Sequence, residues 1–131
     1  MGNMSTDRAG GSLYTKIDNK IARVEFGHPA GNSFVAEMLV RLTRELEQLS
    51  AREEVVAILL QSEGDRAFCG GASFDELNAI TTLEEGKKFF GGFAQVINAM
   101  RKCSKPIIGR VQGKAVGGGV GLISACDFVF A

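Results

Sequence analysis

Apolar residues recur along this chain with two periods, about two and about 3.6 residues, and the alternation between them outlines a fold. From Leu13 to Phe26 two short runs, LYTKI and IARVEF, have strand character. They are separated by DNK, whose Asp18 and Asn19 favour a turn, so a hairpin is predicted. The stretch GHPAGNS breaks the pattern. Beyond it, Phe34, Val35, Met38, Leu39, Leu42, Leu46 and Leu49 fall at helical spacing, predicting a helix from Phe34 to Ser50 with Ser33 as its cap. The run VVAILLQS is apolar at both alternating sets of positions, as expected of a strand covered on both faces.

A glycine-bearing loop, EGDRAFCGGAS, follows, and the next helix, FDELNAI, is expected to begin near Ser73. Thr82 to Glu85 has the spacing of a capping box at the head of a longer helix. Its inward stripe reads as Phe89, Phe90, Phe93, Ile97 and Met100, although Gly86, Gly91 and Gly92 weaken the pattern. Pro106 prevents simple continuation, IIGRVQG reads as a buried strand, a glycine run opens another helix, and FVFA begins a further strand. Strand and helix alternate, so an α/β fold with a largely parallel sheet is expected. A strand opening at Phe128 with nothing to pair or cover it leads us to expect that Ala131 is not a natural domain boundary.

Composition narrows the function classes. Hydrophobic residues make up 45% and charged residues 23%, a balance that favours a folded core over disorder. Fifteen basic and fifteen acidic side chains give a net charge of +0, without the long-range pull that nucleic acid or an anionic membrane requires. No apolar run approaches the ~20 residues of a membrane span, and the polar start lacks a signal-peptide core, so a soluble, cytoplasmic protein is expected. Three cysteines, Cys69, Cys103 and Cys126, are an odd number without paired metal-ligand spacing, so neither a disulfide framework nor a metal site is expected. Residues 1–12 read as a flexible segment ahead of a core spanning 13–131; MGNMST loosely fits a myristoylation pattern, which such short motifs often match by accident.

The stretch QGKAVGGGVGLISACD carries the most chemical information, because each glycine in a helix costs about 1 kcal/mol relative to alanine. A Walker loop fails here, since Lys114 precedes the glycines and no Ser or Thr follows it. The dinucleotide fingerprint counted from Gly117 fails at Leu122, and Ser124 lacks the flanking glycines of a nucleophile elbow. His28, the single histidine, reads as a turn residue. What glycines do supply is close backbone approach, so that an N–H at a helix start can meet a ligand oxygen. The second glycine loop, FCGGAS, could bring another donor, and two together would form an oxyanion hole. Tight turns and close helix packing explain the same glycines equally well.

RAFCGGASFDEL resembles the first signature of the crotonase, or enoyl-CoA hydratase/isomerase, family, and GKAVGGGVGLISACD resembles its second. VEFGHPAGNSF resembles the family's strand and P-x-x-N turn, and the likeness runs from Leu13 to Ala131. The resemblance implies a crotonase-like spiral of ββα units, here ending before the C-terminal helices, that binds an acyl-CoA thioester and stabilises its enolate. It implies that the backbone N–H groups of Ala72 and Gly118 form the oxyanion hole, with Ser73, Phe74 and Asp75 lining the substrate path. Lys16, Lys20 and Arg23 are implied as phosphate contacts on weaker grounds, and a solvated hairpin face is the simpler reading for them. Coenzyme A is then part of the substrate and no separate cofactor is implied; assembly into trimers or hexamers is implied for the longer protein.

The departures limit the chemistry. Ser73 stands where the family usually has Asp, and Gly121 stands where hydratases place a glutamate. Asp127, Asp75 and Glu76 are possible replacement acids, yet structural and capping roles explain them more simply. Cys69 and Cys126 read as buried thiols before they read as nucleophiles. Such a chain is expected to be weakly active or inactive as a hydratase by itself. A non-catalytic acyl-CoA-binding or interaction module is one alternative, and a serine hydrolase using Ser124 on a related fold is another.

Overall fold

The computed structural model describes residues 10–131, so the myristoylation pattern and most of the expected flexible segment lie outside the described residues. Strand β1 (Ser12–Asp18) and strand β2 (Ile21–Gly27) form the expected antiparallel hairpin. Its two-residue turn puts Asn19 and Lys20 at φ of 50° and 67°, the left-handed geometry that matches the twist of paired strands. Helix α1 (Ala36–Ala51) and strand β3 (Ala57–Ser62) come next, then α2 (Phe74–Ala79), α3 (Leu83–Lys102), β4 (Ile107–Arg110), α4 (Gly118–Ala125) and β5 (Phe128–Phe130). The strands line up in chain order in one sheet, with every pair after the hairpin parallel. This is the expected α/β architecture.

One hydrophobic core joins the sheet to the helices. Val24, Ile58, Leu60 and Ile107 are fully buried, packed with Leu39, Leu42 and Leu46 of α1 and Val96 of α3. The opposite sheet face differs from expectation. Along β3 only Ile58, Leu60 and Ser62 are buried, while Ala57, Leu59 and Gln61 are half-buried. On that outer face Glu25 accepts from Tyr14 Oη at 2.6 Å and from Gln61 Nε2 at 2.8 Å, forming a polar ladder across three strands. Phe128, Val129 and Phe130 of β5 remain 72%, 44% and 52% exposed, so the sheet ends in an open apolar edge.

Two helix expectations require correction. Ser33 does not cap α1: the N-cap is Val35, which makes no side-chain cap bond, and the buried Ser33 hydroxyl has no partner among the described residues. Phe34 instead adopts extended pairing with another loop, which delays the helix by two residues from the expected Phe34 start. On α3 the inward stripe is Phe89, Phe93, Val96, Ala99 and Met100, whereas Phe90 is 54% exposed and Ile97 half-buried. The sequence pattern underestimated Gly92: a Cβ there would lie 3.0 Å from Leu39 Cδ1, so the glycine permits the contact between α1 and α3. The expected capping box at Thr82 and Glu85 is present in full.

Candidate active site

Two isolated strand bridges bring the glycine loops together. In the first, Phe34 donates its N–H to Gly71 O at 2.8 Å, and its carbonyl accepts from Ser73 N at 2.8 Å. Ala72 stands opposite Phe34, and in parallel pairing that position turns its own N–H and carbonyl away from the partner strand. In the second, Cys69 donates to Lys114 O at 3.2 Å and accepts from Val116 N at 3.0 Å, which ties the first loop to the second. The loops are thus cross-linked by backbone hydrogen bonds immediately before the two glycine-dependent positions.

The three consecutive glycines have separate physical causes. Gly117 takes φ 55° and ψ −121°, a region that a side chain would strain, and this turn starts α4. At Gly118 a Cβ would collide with the Phe93 ring, and at Gly119 it would come within 2.8 Å of Cys69 Cβ and of the Cys69 carbonyl oxygen. A Cβ built at Gly71 would fall 2.8 Å from Val116 O and 3.6 Å from Gly118 N. The residue just before Ala72 therefore abuts the first amide of α4. Neither the Ala72 nor the Gly118 N–H has an acceptor among the described residues. For Gly118 that is inherent in its place on the helix, since the first turn has no preceding carbonyls to bond.

Three exposed apolar side chains each lie two residues along the chain from one of these amides. Phe74 is 80% exposed, and Val116 and Val120 are each 50% exposed. Ser73 is buried as the N-cap of α2, its Oγ accepting from Glu76 N at 3.3 Å, and Asp75 lies in the first turn of that helix. Gly121 faces α3, where a Cβ would sit 3.2 Å from Ile97 Cδ1. Beyond it opens a cavity of about 480 Å³ bordered by residues that include Ile97, Arg101, Ser124 and Asp127.

The remaining candidates are occupied elsewhere. Asp127 Oδ2 accepts from Ile107 N at 2.7 Å while its own N–H donates to Ile107 O, so its carboxylate anchors the start of β4. Ser124 Oγ donates to Val120 O at 2.9 Å within its own helix. His28 Nδ1 accepts from Ala30 N at 2.9 Å inside the turn. Lys16 and Arg23 are cross-strand partners on the outer sheet face, bordering a separate cavity of about 210 Å³, and exposed Lys20 sits in the hairpin turn, so none of the three is drawn to the glycine loops. Asn32, read from sequence only as part of a turn motif, is 7% exposed and braces the site from behind. Its Nδ2 donates to Glu63 O and Ala67 O, each at 2.9 Å, and its Oδ1 accepts from His28 N at 3.0 Å.

Burial pushes the Cys69 thiol up to about 11, partly offset by the Gly71 N–H, and burial with the nearby Asp127 charge pushes Cys126 up to about 11. Thiols held this far above their ordinary value are poor nucleophiles near neutral pH. Alkylation of the folded chain at pH 8 is expected to spare both, and mass spectrometry should find them modified only after unfolding. Both thiols titrate higher folded than unfolded, so their contribution to stability is intact below about 9 and declines as the pH rises toward about 11.

The family model described as enoyl-CoA hydratase/isomerase matches residues 16–131. The chain belongs to this family. Among enoyl-CoA hydratase/isomerase relatives, a short-chain-enoyl-CoA hydratase of Clostridium acetobutylicum is 30% identical over 115 residues, covering 87% of this chain and 44% of that protein. An ethylmalonyl-CoA decarboxylase of Xenopus tropicalis is 27% identical over 121 residues, covering 91% of the chain and 40% of that protein. The crystal structure of an enoyl-CoA hydratase of Mycobacterium smegmatis superimposes with a TM-score of 0.84 at 28% identity, over 89% of this chain and 46% of the other. The chain thus spans less than half the length of these relatives. Its five-stranded sheet and helices reproduce that part of the crotonase fold.

Proposed function

We propose that the chain binds an acyl-CoA thioester and holds its carbonyl oxygen between the N–H groups of Ala72 and Gly118. The observation that carries this reading is the pair of unpartnered amides on loops cross-linked through Cys69, with residue 71 packed against Gly118 N. Negative charge developing on that oxygen, as in an enolate, would meet two donors fixed before the reaction. A single donor of this kind is worth about 3 kcal/mol in the transition state. Phe74, Val116 and Val120 would shield the thioester from water, and the adjoining Ser73 and Asp75 would set the path of the thiol arm.

Proton transfer is a separate requirement. Hydration needs an acid or base within hydrogen-bond reach, and Gly121 contributes none where a hydratase carries its glutamate. Asp127 and Glu76 are already engaged by backbone amides. With Asp127 and Glu76 engaged, these residues favour polarisation of the thioester over hydration of its double bond. That favours a second reading, binding without turnover, for this chain alone. Nothing in the geometry favours the serine hydrolase, given where the Ser124 hydroxyl and His28 point their hydrogen bonds.

Titration with a saturated acyl-CoA and with its thioether analogue, which lacks only the carbonyl, tests the site. The thioester is expected to bind about tenfold more tightly or better, the value of two modest hydrogen bonds. Crotonyl-CoA should be turned over slowly or not at all. Equal affinity for the two ligands would remove the oxyanion hole, and rapid hydration would reveal a base that these residues do not provide.

A further inference from the structure

Ser73-Phe74-Asp75-Glu76 has the spacing of a capping box, in which the fourth side chain turns back to the N–H of the first. Thr82 and Glu85 complete such a box, each side chain accepting the other's amide at 3.1 Å. Ser73 forms only half of one. Its Oγ accepts from Glu76 N, but its own N–H is taken by Phe34 O. Glu76 is released by that bridge, and its Oε1 accepts from Ala36 N at 2.7 Å.

Ala36 is the first residue of α1, a helix whose N-cap Val35 offers no side-chain acceptor. The carboxylate from α2 is therefore the cap that α1 lacks, and it places negative charge where the helix dipole favours it. Helix α2 has no fully buried residue, so apolar burial alone does not fix it. The bond between Glu76 and Ala36 extends the backbone pairing of residues 31–34 with residues 70–73, and Ala72 sits within that pairing.

We infer that Glu76 is a positioning residue for the oxyanion hole: its carboxylate cross-links α2 to the start of α1 and so fixes the Ala72 amide beside Gly118. The inference rests on the proposed thioester site. It assigns to Glu76 an effect on the carbonyl contact beyond its effect on stability.

The test uses the 131-residue chain and the ratio of thioether to thioester dissociation constants. Glu76→Ala is expected to lower this ratio about fivefold, the loss of roughly one hydrogen bond, while thioether binding changes less than about twofold. Glu76→Gln keeps an acceptor oxygen and should keep the ratio. Glu85→Ala, which breaks the box on α3, should lower the melting temperature and leave the ratio alone. Glu76→Ala/Val35→Thr gives α1 a cap of its own; its melting temperature should recover while its ratio stays low.

An unchanged ratio in folded Glu76→Ala overturns the inference. Recovery of the ratio together with stability in the double variant does so too, because Glu76 would then act only through α1. Should Glu76→Ala fail to fold, the double variant decides, and its failure to fold as well would mark Glu76 as a stability residue alone. Absence of any thioester preference in the unaltered chain would instead end the site reading itself.

Discussion

Gly118→Ala is expected to abolish the preference for a thioester over a thioether and to destabilise the chain by about 1–3 kcal/mol, the usual penalty for overpacking. The added methyl would enter the Phe93 ring, which is itself locked edge-on against Phe34 and Phe89 at centroid separations of 6.1 and 6.2 Å. Because the ring cannot retreat freely, the start of α4 must move, and the Gly118 N–H moves with it. Phe93→Leu in the same background should recover part of the stability in urea titrations by removing the ring edge. It should not restore carbonyl-dependent binding if the shifted helix start is the cause. A Gly118→Ala chain with unaltered stability and unaltered thioester preference would contradict the packing described for α3 and α4.

A second large effect is expected at Asn32, outside the glycine motifs. Asn32→Asp keeps the shape of the side chain but replaces an amide that donates to Glu63 O and Ala67 O with a carboxylate oxygen facing those carbonyls. Loss of two hydrogen bonds plus an uncompensated buried charge should cost about 3–5 kcal/mol, a large share of the marginal stability of a domain this size. Protonating the introduced acid relieves the repulsion, so its folded-state pKa is raised, and the variant should regain stability as the pH falls and lose it as the pH rises. Thermal melts at several pH values measure the effect. Asn32→Asp as stable as the unaltered chain at neutral pH would show that this bracing is dispensable.

Much of the fold was legible because it follows from local chemistry. The hairpin turn at Asn19, the box at Thr82 and Glu85, and the leucine stripe of α1 each need only neighbours within a few residues. Features set by contacts between distant segments were not legible in this way. Ser33 looked like a cap, but Phe34 is claimed by Gly71 and Ser73, and the helix starts later with a carboxylate borrowed from α2. Phe90 fits a helical stripe in sequence, yet the burial of α3 runs through Val96 and Ala99, the face on which Gly92 meets Leu39. The outer face of β3 is as apolar in sequence as a doubly covered strand, and only the sheet register shows Leu59 between Arg23 and Ile108 on an open face.

The glycine loops fall between these cases. Either a ligand or tight packing could account for the run from Gly117 to Gly119: Gly118 and Gly119 meet Phe93 and Cys69, and the amide of Gly118 has no acceptor among the described residues. Packing and the proposed thioester contact would share one cause here, the close approach of the two loops. Serine in place of the family's usual Asp at position 73 still caps α2, so that departure preserves the local turn. The change at Gly121 is different in kind, because it removes an ionisable group and lets Ile97 approach the helix.

Infrared difference spectroscopy of a bound acyl-CoA carrying a ¹³C label at the thioester carbonyl reads the proposed contact at the oxygen itself. Two donors converging on that oxygen should move its stretch to lower frequency than in water, and Gly118→Ala should return it toward the aqueous position. Saturated binding with the carbonyl band unmoved would show that Ala72 and Gly118 do not hold that oxygen.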